Sequence, residues 1–118
     1  MSRWIDGHGA TYGDLVNKRL AFLEQTTSSG SADSFAWYAL ALEYKKEGRV
    51  EDALRAFDSL RQKDPGYLAL YLMAGQTLTE AGRGADAKEW LEAGIDLARS
   101  RGDEKTLGEL VSALDEAK

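Results

Sequence analysis

From Trp37 onward the chain repeats itself. After an interval of thirty-four residues Tyr71 follows Trp37, Ala74 follows Leu40, Gly75 follows Ala41, Leu78 follows Tyr44, Gly82 follows Gly48, Ala87 follows Ala53 and Leu91 follows Phe57. A recurrence of this length marks repeat architectures, in which one small unit cannot bury its apolar face alone and must stack on its neighbours. Within each copy the apolar places fall three and four apart, the spacing of one helix face. Gly48 and Gly82 interrupt that spacing where a chain leaving a helix benefits from a residue free to take positive φ. Each copy therefore reads as two helices joined by a short turn, Glu47-Gly48-Arg49 in the first and Ala81-Gly82-Arg83 in the second.

The first copy carries Trp37, Leu40, Ala41, Tyr44, Gly48, Ala53, Phe57, Leu60 and Pro65, in that order and at those intervals, and this set resembles the tetratricopeptide repeat. The resemblance implies an all-α fold: a right-handed superhelical solenoid of antiparallel helix pairs, here with about six helices. The layout from about Tyr12 to Glu116 is also similar to small free-standing bacterial members of that family.

Taken in order, residues 1–10 form an arm without period, with Trp4 and Ile5 as its bulky apolar pair. They are expected to be a loose terminus, the alternative being that Trp4 and Ile5 dock on the domain. Residues 11–118 read as a single domain. A leading helix is predicted over 12–25, capped by Thr11, with Val16, Leu20 and Leu23 in the register of Val50, Leu54 and Phe57. Repeat one is placed at 34–67 and repeat two at 68–101, with Asp33 or Ser34 as the cap of the first helix and Asp64-Pro65-Gly66 as the stop of the second. No Asp-Pro stands near Arg99, so the second helix of repeat two should run on to about Ser100. A capping helix is expected over 104–116, with Leu107, Leu110, Val111 and Leu114 turned inward. Small residues at Ala41, Ala53, Gly75 and Ala87 mark places where paired helices cross closely.

Composition excludes several function classes. Twenty acidic against fifteen basic residues give a net charge of −5, the wrong sign for a nucleic-acid groove. Cys is absent, so disulfides and thiolate chemistry are impossible. No apolar run is long enough to insert in a membrane, and a cytoplasmic location is the default expectation. The single histidine, His8, lies between Gly7 and Gly9 in the arm, where nothing would orient it. The acidic pairs Glu51-Asp52, Asp103-Glu104 and Asp115-Glu116 sit at helix beginnings or on outer faces, where helix-dipole compensation and solvation account for them. Gly82-Arg83-Gly84 lacks the Lys and Ser or Thr of a phosphate loop. The expectation is a chain that is not an enzyme and takes no cofactor or metal.

In the family the chain resembles, the first helix of each pair lines a concave groove that takes extended or helical peptides. Carried over by register, the candidate site is Phe35, Tyr38, Leu42 and Lys45 from repeat one with Ala69, Leu72, Gln76 and Thr79 from repeat two. Members that clamp a terminal carboxylate use Lys and Asn where this chain has Tyr38 and Leu42, so a carboxylate clamp is not expected. The expected partner is another protein or peptide with apolar character. A self-associating structural role, as a homodimer through the groove or the Trp90 face, is the alternative. Trp90, whose counterpart in repeat one is Ala56, is expected to pack under the last helix, with an exposed anchor as the second reading.

Overall fold

The computed structural model describes residues 17–30 and 32–118. Among them are six helices: α1 (Lys18–Ser28), α2 (Ser34–Lys46), α3 (Val50–Lys63), α4 (Ala69–Glu80), α5 (Gly84–Arg101) and α6 (Glu104–Glu116). Each helix packs on the next in sequence, and α6 also packs on α4. One layer is therefore α1, α3 and α5, and the other α2, α4 and α6. With no strand among the described residues, this is an all-α solenoid.

The two repeats close their first helices in the same way. Gly48 and Gly82 both have φ of 77°. Beyond them the Arg49 amide donates to the Tyr44 carbonyl at 2.9 Å and the Arg83 amide to the Leu78 carbonyl at 2.8 Å. This satisfies carbonyls that a helix end leaves without partners, and it turns the chain back for the second helix. Helix starts are equally explicit. Asp33 accepts the Ala36 amide at 2.9 Å, and Asp103 accepts the Thr106 amide at 3.1 Å and the Thr106 hydroxyl at 2.8 Å. The Ser34 hydroxyl donates to Asp64 at 2.8 Å, tying the start of α2 to the end of α3.

The core runs through both layers. Phe57, Leu60, Leu70, Leu78, Leu91 and Leu110 are fully buried, each worth roughly 1.5–3 kcal/mol relative to exposure. The small residues stand where helices meet: Ala41, Ala53 and Ala87 have no exposed surface. A Cβ placed on Gly75 would lie 2.4 Å from a methyl of Leu91, so only glycine lets α4 and α5 approach this closely. Gly94 is similar, since its Cβ would meet Tyr71 at 2.6 Å and Leu110 at 2.9 Å. Buried polar groups find partners within their own helix or on the neighbouring one. Thr27 and Thr77 donate their hydroxyls to the carbonyls one turn back, at 2.9 and 2.7 Å, while Glu43 pairs with Arg19 at 3.2 Å.

Several details depart from the expected layout. The first helix begins at Lys18, capped by Asn17 accepting the Leu20 amide at 2.8 Å, and continues to Ser28. Its extension beyond Gln25 has a local cause: Thr26 and Thr27 bond their hydroxyls to the helix's own carbonyls and stay in it. Thr11, Tyr12, Val16, Trp4, Ile5 and His8 lie outside the described residues. At the start of α4, Tyr67 and Leu68 form a tighter turn, their carbonyls accepting from Leu70 and Tyr71 at 3.1 and 3.2 Å. Val111, expected inside the last stripe, is 46% exposed. Its counterpart Ala41 is enclosed beside α3, and no described helix plays that part for α6.

Candidate protein-interaction surface

The eight residues singled out by register fall on two rows. Phe35, Tyr38, Leu42 and Lys45 lie three, four and three apart along α2, and Ala69, Leu72, Gln76 and Thr79 do the same along α4, so each set shares one helix face. Phe35 is 62% exposed, whereas Tyr38, Leu42 and Leu72 are half-buried against the core. The Tyr38 ring lies 5.2 Å from the Tyr67 ring. Burial first, and Tyr67 second, push the Tyr38 phenol above its ordinary range, so it stays neutral and can donate a hydrogen bond. Lys45 bonds Glu80 at 3.1 Å and joins the ends of α2 and α4. Thr79 donates its hydroxyl to the Gly75 carbonyl at 2.9 Å.

The same face continues on a third helix. In the register that aligns Leu107 with Trp37, Lys105, Gly108 and Ser112 take the places of Phe35, Tyr38 and Leu42. Gln76 and these three residues line one hollow of about 420 Å³, together with Glu109 and Glu116. The layer of α2, α4 and α6 thus grades from aromatic and aliphatic at α2 to polar and charged at α6. A capping role alone does not reveal this contribution of α6; the signal for it is the alignment of Leu107 with Trp37.

The other layer holds two further hollows. One, of about 360 Å³, lies between α1 and α3 over Trp37, Leu40 and Tyr44. Here the Tyr44 hydroxyl donates to Glu24 at 2.6 Å, and burial together with that carboxylate pushes its pKa up to about 12. The other, of about 700 Å³, lies between α3 and α5 and has Trp90 in its wall. Trp90 is half-buried, 6.3 Å from the Tyr71 ring, with the Arg61 guanidinium 4.6 Å from its centre. Arg61 bonds both oxygens of Glu89 at 3.0 Å, which raises the guanidinium's pKa and lowers that of Glu89. Trp90 is therefore both a packing residue and a surface one, and it sits beside α3 as well as above α4.

The acidic pairs have structural partners. Glu51 bonds Arg83 at 2.8 Å, Asp115 bonds Lys118 at 2.8 Å, and Asp103 caps α6, its carboxyl held below the usual range by Thr106. Among the described residues no cluster of His, Cys, Asp and Glu is arranged to hold a metal ion, and no helix is long and apolar enough to cross a membrane.

Comparison with known proteins gives the geometry a family. A profile described as tetratricopeptide repeat matches residues 44–104. A tetratricopeptide repeat domain protein of Salinibacter ruber, solved by crystallography, is 36% identical with a TM-score of 0.66, covering 73% of this chain and 96% of that one. Its solution structure gives 0.68 at the same identity, covering 73% and 87%. A protein of Bordetella parapertussis, also solved in solution, is 26% identical with a TM-score of 0.72, covering 83% and 85%. Curated proteins contain no match to the chain. With the profile spanning more than half of its length and a relative 36% identical over 73% of it, the chain belongs to the tetratricopeptide repeat family.

Proposed function

We propose that this protein is a noncatalytic adaptor that binds a peptide or helix of a partner protein along the α2–α4–α6 layer, as the concave groove of its family does. The family is one of interaction scaffolds, and the finer reading rests on one observation. Phe35 is 62% exposed on the same row as Tyr38, Leu42 and, on the next helix, Leu72. Apolar surface concentrated on one face and followed by polar groups is the pattern of a binding surface. Lys45, Ala69, Gln76 and Thr79 complete the proposed groove. The graded face favours an amphipathic segment with its apolar end over α2 and its polar end over α6.

Photo-crosslinking tests this directly. A crosslinking residue at position 38 in the intact chain, used in native lysate, should capture a partner through the groove. Tyr38→Ala with Leu72→Ala should weaken that partner's binding by at least about tenfold. Because both side chains are half-buried, Phe35→Ala is the cleaner second variant and should weaken binding with little loss of stability. Full affinity in both variants would remove the groove from consideration. A captured second copy, with a dimer mass by light scattering, would replace the adaptor by self-assembly.

A further inference from the structure

The hollow between α3 and α5 has no role in the reading above, yet it is the largest of the hollows described and its chemistry is specific. The space between the two helices, about 700 Å³, has Leu54, Leu78 and Trp90 as its apolar lining. Trp90 is held from one side by Arg61, whose guanidinium lies 4.6 Å from the ring centre, so its position is fixed before anything binds. Four carboxylates, Glu51, Asp58, Asp86 and Glu89, face two guanidiniums, Arg55 and Arg83, around the edge. Their pairing is uneven. Glu51 and Asp86 share Arg83 at 2.8 and 3.1 Å, Glu89 holds Arg61, and Arg55 is engaged by Asp52. Among the described residues Asp58 is bonded only by the neutral Gln62 amide, at 2.7 Å.

We infer that this hollow is a second binding surface, for a basic peptide segment that sets one bulky apolar side chain against Leu54, Leu78 and Trp90 and a Lys or Arg against Asp58. The sign of the edge disfavours phosphate and nucleic acid. Its breadth disfavours a small ligand, which would keep much of its surface in water. A lysine or arginine beside an apolar side chain meets both demands of the site, because exposed ion pairs such as those of Arg83 are weak and rearrange readily.

The test uses the full chain and a short fluorescent peptide carrying Trp and Leu among lysines, with fluorescence anisotropy as the measurement. Binding should weaken as salt rises and should be lost when every Lys of the peptide is replaced by Glu. Trp90→Ala should weaken it about tenfold or more, and Asp58→Arg, at an exposed position where folding is not at risk, should weaken it similarly. Phe35→Ala should leave it unchanged, and that arm separates this surface from the α2–α4–α6 face. Equal binding of the acidic peptide, absence of binding by the basic one, or an unaltered affinity in Asp58→Arg would each overturn the inference. So would amide shifts in a labelled sample confined to α2 and α4.

Discussion

Repeat one and repeat two share a register and differ in what fills it. In repeat one two large rings lie on α2, where Trp37 and Tyr44 line a hollow with Ala56 of α3, and Tyr44 ends in a polar arrangement with Glu24 and Arg49. In repeat two α4 has Tyr71 and Leu78 at those places, and the large ring has moved to the second helix as Trp90. Glycine follows the same exchange. Ala41 of α2 becomes Gly75 of α4, and the space that a methyl would occupy is taken by Leu91. The register thus decides where helices cross, while the distribution of bulk between the two helices remains free as long as each crossing keeps one small partner. The second repeat is further interlocked by the last helix, because Leu110 of α6 stands against Gly94 and the carbonyl of Ala117, just past the end of α6, stands against Gly84.

The largest expected effect follows from that dependence on α6. Ending the chain at Gly102 removes Leu110, Ala113 and Ala117, all buried, and half-buried Leu107 and Leu114. At roughly 1.5–3 kcal/mol for a fully buried large side chain, the loss is about 5 kcal/mol, a large part of a domain's usual stability. The truncated chain should aggregate or melt far below the intact one, and hydrogen exchange should show repeat two losing protection before repeat one. An unchanged melting temperature would make α6 an appendage and dissolve the difference between the repeats.

A smaller effect probes the crossings themselves. Gly75→Leu and Ala53→Leu each force a branched side chain into a closed contact and should cost about 1–3 kcal/mol or more by urea denaturation. Glu51→Gln and Lys88→Gln, on exposed surface, should change stability by less than about 0.5 kcal/mol. The repeats should separate at the intermediate substitution. Gly75→Ala should destabilise despite alanine's better helix propensity, since its Cβ meets Leu91 at 2.4 Å. Equal costs for the leucine variants and the surface variants would mean that the register is wrong.

Much of this architecture was legible because it depends on spacing. The interval from Trp37 to Tyr71, the glycines at 48 and 82 and the cap at Asp33 are all signals carried by spacing and residue type, and the structure uses each of them. What was not legible depends on neighbours distant in the chain. Buried Glu43 could not be foreseen without Arg19 and Asn17 beside it, contacts across more than twenty positions. Val111 read as core because a helix face does not reveal whether a further helix covers it. Trp90 looked like a residue of α5 packing beneath α6, yet Arg61 of α3 is what fixes it. The candidate groove residues were legible as rows on helices, but their partial burial, and the extension of the row to α6, required the packed layer.

The smallest effect concerns that third row, and it compares one place across three helices: Tyr38 on α2, Leu72 on α4 and Gly108 on α6. Unlike Gly75 and Gly94, Gly108 has no atom within 4 Å of where its Cβ would stand, so packing does not require glycine there. Glycine inside an exposed helix turn costs roughly 0.5–1 kcal/mol relative to alanine. Gly108→Ala should therefore stabilise the protein by about that amount and raise its melting temperature by a few degrees. Destabilisation instead would show that α6 is curved or closed in a way its open hollow does not indicate. The informative comparison is with binding. If the partner's backbone crosses the layer at Gly108, the same substitution should weaken capture while it strengthens the fold, and a variant at Ser112, one turn along the row, should weaken capture without the gain in stability. Stabilisation with full affinity would confine the site to α2 and α4 and return α6 to a purely structural part.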